Sequence, residues 1–375
     1  MVEALLIVAA SEQDANLYYA TRFWAPDPFV FAQIAGRRIL VTSDLEVDRA
    51  RGESSVEEVL SFSKLQAQAK ATGASQPGTP EVIGLLLRER QVGRVRVPAT
   101  FPVALADRLR AKGHLLEVAP EPLFPQRLVK SRQEVEAIRQ TQRMTEEAVQ
   151  SAVALIQQAQ IRDGGLWLKG QPLTSELLRK YLHLSLMGAD CLARETIVAG
   201  GLQACDPHCI GSGPLPANEP IVLDVFPVSL KSRYYADMTR TVVRGNASEK
   251  VRRMYEAVRH GQEIAFSRIK AGAEGRQIHE AILRYFEQEG FPTGEIGGRM
   301  QGFFHGTGHG VGLEIHEPPR IGAADDTLQA GQVVTVEPGL YYLDAGGVRL
   351  EDMVLVTETG CENLTAFPKL LELNS

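Results

Sequence analysis

Asp224, Asp237, His309, Glu337 and Glu351 are four carboxylates and an imidazole, each set in a segment that reads as a strand or a glycine-rich turn. The segments are IVLDV, YYADMTRTVV, HGTGHGVGLEIHEPP, VVTVEPGLYY and GGVRLEDMVLV. Carboxylates are seldom buried without a partner or a cation. The set is hard and oxygen-rich, suited to Mn²⁺ or Co²⁺ first and also to Zn²⁺ or Fe²⁺. It carries more negative charge than one ion can use, which implies two divalent ions bridged by carboxylates. Ions about 3.5–4 Å apart hold a shared water, lower its pKa and stabilise both oxygens of a tetrahedral intermediate. The chemistry that follows is hydrolysis of an acyl bond.

The spacing supports a shared site. Asp224 and Asp237 lie 13 residues apart on consecutive β-like runs, and an odd separation lets two hairpin residues occupy one face. Alternation puts Thr239 and Thr241 on the Asp237 face, where a hydroxyl can orient the carboxylate. Taken alone, the pair reads better as a solvent-facing hairpin with ordinary acidic residues. His309 sits among four glycines in HGTGHGVG, where missing side chains let backbone approach a crowded centre. No Lys-Ser/Thr ending follows, so a phosphate loop is disfavoured. Glu337 ends an apolar strand before Pro338-Gly339, and an unpaired carboxylate there would have to protonate or find a cation. Glu351 shares its strand face with Arg349, which serves as a plain salt-bridge partner or as a clamp behind a metal-bound carboxylate.

The elements that must position these groups form an α/β (α+β) chain of two domains, 1–125 and 126–375. A length of 375 residues exceeds one ordinary core. The first domain mixes short strands and helices, with FVFAQIAGRRILVTSD reading as a hairpin turned at Ala35-Gly36-Arg37-Arg38. The proline-punctuated Glu121–Gln126 makes a linker. An amphipathic helix then opens on the capping box Ser131-x-x-Glu134, with Val135, Ile138, Ala148, Ala152 and Leu155 near helical spacing. Further helices start near Thr174 and Ser248, and another ends at Gly290.

Composition excludes several classes. With 40 basic and 46 acidic residues the net charge is −6, no field for nucleic acid or anionic lipid. Ala4–Ala10 is apolar but short and follows Glu3, which fits a first strand better than a signal peptide. No stretch approaches the roughly 20 apolar residues of a membrane span. The four cysteines form no C-x-x-C pattern, so neither a zinc knuckle nor a disulfide framework is indicated. The expected location is cytoplasmic.

ADMTRT, HGTGHGVGLEIHEPP, VEPGLYY and GVRLEDMVLVTETG resemble the pita-bread metallopeptidases, the family of methionine aminopeptidase, Xaa-Pro aminopeptidase, prolidase and creatinase. The likeness covers roughly residues 127 to 375. FWAPDPFVFAQIAGRRILVTSDLE is similar, more weakly, to the creatinase-type N-terminal domain, which favours the proline-specific branch. The resemblance implies that Asp224, Asp237 and Glu351 hold the metal pair, completed by His309 and Glu337, and that Glu337 carries a proton to the leaving amine. It further implies that His208 contacts substrate or intermediate, that His316 hydrogen-bonds near the scissile carbonyl, and that His305 lies on the substrate side. Phe226 stands where the family usually has glycine, and the two aspartates are further apart than usual, so the hairpin tip is altered. The expected activity is that of an Xaa-Pro dipeptidase acting on short proline-containing peptides, with Arg320 as the candidate cation for a dipeptide carboxylate. An Xaa-Pro or broader aminopeptidase is the alternative. A metal-free creatinase-like hydrolase and a non-catalytic binding module both predict eroded ligands, and this chain keeps all five. Proline-specific relatives commonly form homodimers, which is the expected assembly.

Overall fold

A computed structural model describes residues 2–374. The chain divides into two compact units, Met1–Pro125 and Gln126–Ser375.

The first unit runs β1 (Val2–Ala9), α1 (Ala15–Thr21), β2 (Phe29–Ile34), β3 (Arg37–Thr42), α2 (Val47–Glu53), β4 (Glu58–Ser61), α3 (Phe62–Ala71), α4 (Thr79–Glu89), β5 (Val92–Val97), α5 (Val103–Ala111) and β6 (Leu116–Val118). Its six strands form one sheet in the order β4-β3-β2-β1-β5-β6. The β1/β2 and β2/β3 pairs are antiparallel and the others parallel. Alternation along the strands feeds two cores. Leu6, Ala32, Ile39 and Val41 pack with Val82 and Leu86 of α4 on one face, while Ile7, Phe31 and Leu40 pack with Leu17 and Phe23 on the other. The β2–β3 turn is tighter than the sequence suggested. Only Ala35 and Gly36 form it, both at positive φ (48° and 82°), the backbone twist that suits a two-residue hairpin. Arg37 and Arg38 belong to β3, where Arg38 pairs with Glu57 at 2.6 Å.

The second unit opens on α6 (Arg132–Gln158), whose N-cap Ser131 hydroxyl accepts from Glu134 N at 3.3 Å while the Glu134 carboxylate accepts from Ser131 N at 2.8 Å. Then come α7 (Ser175–Gly188), β7 (Ile197–Gly200), β8 (Ile221–Val225), β9 (Met238–Val242), α8 (Glu249–Arg268) and α9 (Gly275–Gln288). The C-terminal strands are β10 (Gly308–Gly310), β11 (Glu317–Ile321), β12 (Val333–Val336), β13 (Gly339–Tyr342), β14 (Gly346–Arg349), β15 (Asp352–Val356) and β16 (Cys361–Asn363). One antiparallel sheet is β7-β8-β9, a second is β11-β10-β12-β15-β16, and β13-β14 is a hairpin. Two cores flank them. Val149, Leu178, Leu223 and Met238 belong to the core under α6 and α7, and Val258, Ile282, Val334 and Val354 to the core under α8 and α9.

One expectation fails here. VRLEDMVLV is not a continuous strand, because β14 ends at Arg349 and β15 starts at Asp352. The ladder register is nevertheless kept across the interruption: Val336 pairs with Asp352 on one side and Gly339 with Arg349 on the other. Glu337 therefore stands opposite Glu351, and Pro338 opposite Leu350. Pro338 has no N–H to donate, and the ladder breaks at that rung.

Candidate functional site

Two sheets deliver the acidic groups to one place. On β8 and β9, Asp224 lies directly opposite Thr239. Asp237, two residues before Thr239, shares that face. From the other sheet come His309 at the centre of β10 and, at the broken rung, Glu337 and Glu351. One side-chain atom from each of Asp237, His309 and Glu351 lies within 4.8 Å of the others. His309 Nε2 is 3.2 Å from Glu337 Oε1 and 3.7 Å from Asp237 Oδ2. The five residues proposed from sequence are brought together.

A ring of hydrogen bonds holds them from behind. Thr239 Oγ1 donates to Glu351 Oε2 at 2.7 Å, and Arg349 Nη2 donates to Asp224 Oδ2 at 2.7 Å. Arg349 also donates to Tyr341 OH at 2.9 Å and to Thr239 Oγ1 at 3.3 Å, and the Tyr341 hydroxyl lies 2.9 Å from His305 Nε2. Thr335 Oγ1 accepts from His309 N at 3.0 Å and donates to Glu337 Oε1 at 3.2 Å, tying two acidic-site segments through one hydroxyl. The glycines of HGTGHGVG have a specific cause. A Cβ on Gly308 would sit 1.9 Å from Thr335 O, and one on Gly312 would sit 2.5 Å from Glu317 Oε1. They allow close packing of neighbouring strands and of the Glu317 carboxylate.

The electrostatics are those of a site with surplus negative charge. Burial, reinforced by neighbouring carboxylates, raises Asp237 and Glu351 well above the usual carboxylate range. Asp224 is raised by burial too, against the pull of Arg349. Glu337 goes the other way: burial pushes it up, but the hydrogen bond and charge of His309, with His305 and Arg349, outweigh this and hold it at about 2. Burial lowers His305 and His316 to about 4, with Arg349 adding to the effect on His305 and His309 and Arg320 adding to it on His316. Among the described residues Asp224 Oδ1 is buried with no hydrogen-bond partner. An orphaned carboxylate oxygen, a surplus of carboxylates over the Arg349 guanidinium that pairs with them, and an imidazole nitrogen facing them together fit two divalent cations.

The cluster opens into a cavity of about 1320 Å³ whose lining includes His208, His305, His316 and Arg320. The His316 ring meets that of His309 edge-on at 4.4 Å between centroids. Arg320 is the cross-strand partner of His309, which puts its side chain on the same sheet face. His208 is exposed on the loop after the short helix Gly201–Cys205. Thr239 lies beneath the lining, against Glu351. Phe226 lines the cavity.

Several contributors escaped the sequence reading. Arg240 is 2% exposed and donates to Glu351 O at 2.7 Å, to Thr239 O at 2.9 Å and to Asp352 Oδ1 at 2.8 Å. An arginine between two threonines of an apolar strand was the available signal. Glu317, next to His316, is buried in an ion cluster with Lys130 and with Arg127, the latter at 2.9 Å. Nothing local announces that contact, since the partners lie 187 and 190 residues away.

The model of metallopeptidase family M24 matches residues 136–358. The Xaa-Pro dipeptidase of Pyrococcus furiosus is 30% identical over 331 residues, covering 87% of this chain and 84% of that protein. Xaa-Pro aminopeptidase 1 of Streptomyces coelicolor is 34% identical over 196 residues, 46% of this chain and 40% of that protein. Among solved structures, the X-Pro aminopeptidase of Thermotoga maritima superposes with a TM-score of 0.82 at 24% identity, over 99% of this chain and 97% of that one.

Proposed function

We propose that this chain, which belongs to metallopeptidase family M24, hydrolyses the bond between an N-terminal residue and proline in dipeptides and short peptides. It is a metal-dependent peptidase with the pita-bread fold. The observation that carries the substrate reading is the pairing of a buried carboxylate cluster with a cavity wall of His208, His305, His316 and Arg320. The naming of the Pyrococcus relative as an Xaa-Pro dipeptidase supports it.

In this reading Asp224, Asp237 and Glu351 hold the metal pair, and His309 and Glu337 complete one side. When bound, the ions supply Lewis-acid polarisation of the scissile carbonyl and lower the pKa of a water. The chain's own groups do the rest. Glu337 accepts a proton and passes it to the leaving nitrogen. His316 donates a hydrogen bond near the scissile carbonyl, and the Tyr341 hydroxyl keeps His305 facing the substrate. His208, on its exposed loop, contacts the substrate. Arg320 presents a planar pair of donors to the carboxylate that follows proline in a dipeptide. Met1–Pro125 would be a creatinase-like N-terminal domain and Gln126–Ser375 the catalytic domain. Among the described residues no helix is long and apolar enough to cross a membrane. A cytoplasmic homodimer using Mn²⁺ or Co²⁺ completes the proposal.

The test is hydrolysis of Met-Pro, Ala-Pro, Ala-Pro-Ala and Ala-Ala-Ala by metal-stripped protein resupplied separately with Mn²⁺, Co²⁺ and Zn²⁺. Metal-dependent cleavage confined to the dipeptides is the expected result. Cleavage mainly of Ala-Pro-Ala would instead make it an Xaa-Pro aminopeptidase, release of alanine from Ala-Ala-Ala would indicate a broader aminopeptidase, and no cleavage with any metal would overturn the peptidase reading.

A further inference from the structure

Gln262 is 0% exposed on the inner face of α8, among apolar neighbours such as Val258 and Ala265. Its Nε2 donates to Val336 O at 2.8 Å and to Leu350 O at 3.1 Å. These are the carbonyls of the residues immediately before Glu337 and Glu351. One amide thus bridges the two chain segments that bear the two glutamates.

The broken ladder explains why a donor is needed there. In an antiparallel pair, two opposed residues exchange two hydrogen bonds. At the Pro338–Leu350 rung, Leu350 N makes a long bond of 3.5 Å to Pro338 O. The return bond cannot form, because proline has no N–H. Leu350 O would be left as a buried acceptor without a partner. Gln262 fills the vacant donor position from a helix outside the sheet. Its orientation is dictated by chemistry, since carbonyl oxygens only accept and so must face the NH₂ end of the amide. The other end, Oε1, is buried with no partner among the described residues. A core position chosen for stability alone would not hold an amide that leaves one of its own atoms unsatisfied.

We propose that Gln262 is a positioning residue for the metal pair: it replaces the hydrogen bond that Pro338 removes and so fixes the separation of Glu337 and Glu351 across the break. The inference rests on the reading of those two glutamates as metal ligands. Gln262 touches neither metal nor substrate; it acts through the peptide units of Val336 and Leu350. Groups that orient metal ligands in this way typically control affinity by about 10–100-fold.

The experiment is a Co²⁺ titration of the metal-stripped full chain, followed by calorimetry and by the visible absorption of the bound ion, with circular dichroism to verify folding. Gln262→Met keeps the volume and loses the donor. Gln262→Asn keeps the amide but is one methylene too short to reach both carbonyls. Each is expected to bind Co²⁺ about tenfold more weakly and to show an altered visible band while remaining folded. Adding Pro338→Ala to Gln262→Met restores an N–H opposite Leu350 O and is expected to recover part of the lost affinity, which a purely structural defect would not do. Should Gln262→Met fail to fold, Gln262→Asn and the double variant carry the test. Wild-type affinity and spectrum in the folded variants, or a lower unfolding temperature with unchanged Co²⁺ binding, would overturn the proposal. Failure of the wild-type chain to bind Co²⁺ would instead sink the metal-site reading on which it rests.

Discussion

Replacing Arg349 by methionine removes the buried guanidinium that pairs with Asp224, and the size of the effect is expected to depend on whether metal is bound. In the metal-free protein Arg349 is the partner of Asp224 Oδ2 at 2.7 Å, while Asp224 Oδ1 has none. Without it both oxygens of a buried carboxylate lack a donor. Breaking a buried pair by deleting one member costs about 3–5 kcal/mol. In a unit of this size each kcal/mol lowers Tm by roughly 2–4 °C, so the metal-free variant should unfold about 6–20 °C below the wild type. With metal bound, cations balance Asp224, and the residual loss is the bonds to Tyr341 and Thr239, about 1 kcal/mol each. The stabilisation conferred by metal should therefore be larger in the variant than in the wild type. The pH dependence has a definite sign. Asp224 is already raised by burial, and losing Arg349 raises it further. The folded state then binds a proton that the unfolded chain releases near the ordinary aspartate value, so the penalty is full above the raised folded pKa and fades as pH falls toward the unfolded one. Thermal unfolding with and without Co²⁺, at about pH 8 and about pH 5, reads all of this. Equal losses with and without metal, or a loss indifferent to pH, would show that Arg349 acts by packing and refute the electrostatic reasoning.

Arg320→Ala is expected to lower kcat/KM for Xaa-Pro dipeptides by about 10–100-fold, the worth of a charge-assisted pair, and to leave longer Xaa-Pro peptides nearly unaffected; equal losses on both would remove Arg320 from the specificity argument. His316→Ala should cut kcat by about 10²–10³, the scale of one donor at a developing charge, with metal content unchanged by elemental analysis; loss of metal would make His316 a ligand. Removing metal should speed amide exchange at Arg349 and Glu351, whose N–H groups bond to Thr241 Oγ1 and Thr239 O at 2.9 and 3.0 Å, while β1–β6 keep their protection. Uniform acceleration across the chain would mean that metal stabilises the fold as a whole and not this seam.

The acidic set was visible in the chain because each carboxylate stands in or beside a β-like run, where alternation sorts side chains by face. Asp237 and Thr239 share a face by alternation alone, and Asp224 joins them in the register that opposes it to Thr239, which its odd separation from Asp237 allows. The helix from Ser131 was visible because a capping box and a 3.6-residue apolar stripe are local signals. What was not visible depends on who stands across the gap. The break at Leu350–Glu351 arises from Pro338 on the opposite strand, and no window around VRLEDMVLV contains that proline. Tyr341 reads as one more aromatic in an apolar strand until the fold places its hydroxyl between His305 and Arg349. Gln262 reads as an ordinary polar residue of a helix, although its position on the buried stripe of α8 was a signal that could have been weighed.

The placement of these supports explains how a fold tolerates such a cluster. Asp224 and Asp237 come from the sheet backed by α6 and α7, and Glu337 and Glu351 from the sheet backed by α8 and α9. Burial raises Asp237 and Glu351, and repulsion between the carboxylates across the seam adds to it. The seam is closed by donors that bond to backbone, Thr241 Oγ1 to Arg349 O at 2.8 Å and Arg240 to Glu351 O at 2.7 Å, while Gln262 ties together the two segments that flank the break. These bonds to peptide groups do not depend on the charge of the carboxylates, so they limit how far the ligands move as the cluster is charged, protonated or metal-bound. A site held only by ion pairs would rearrange each time its charge changed. Preorganisation here is carried by the peptide groups, which leaves the carboxylate oxygens free for cations.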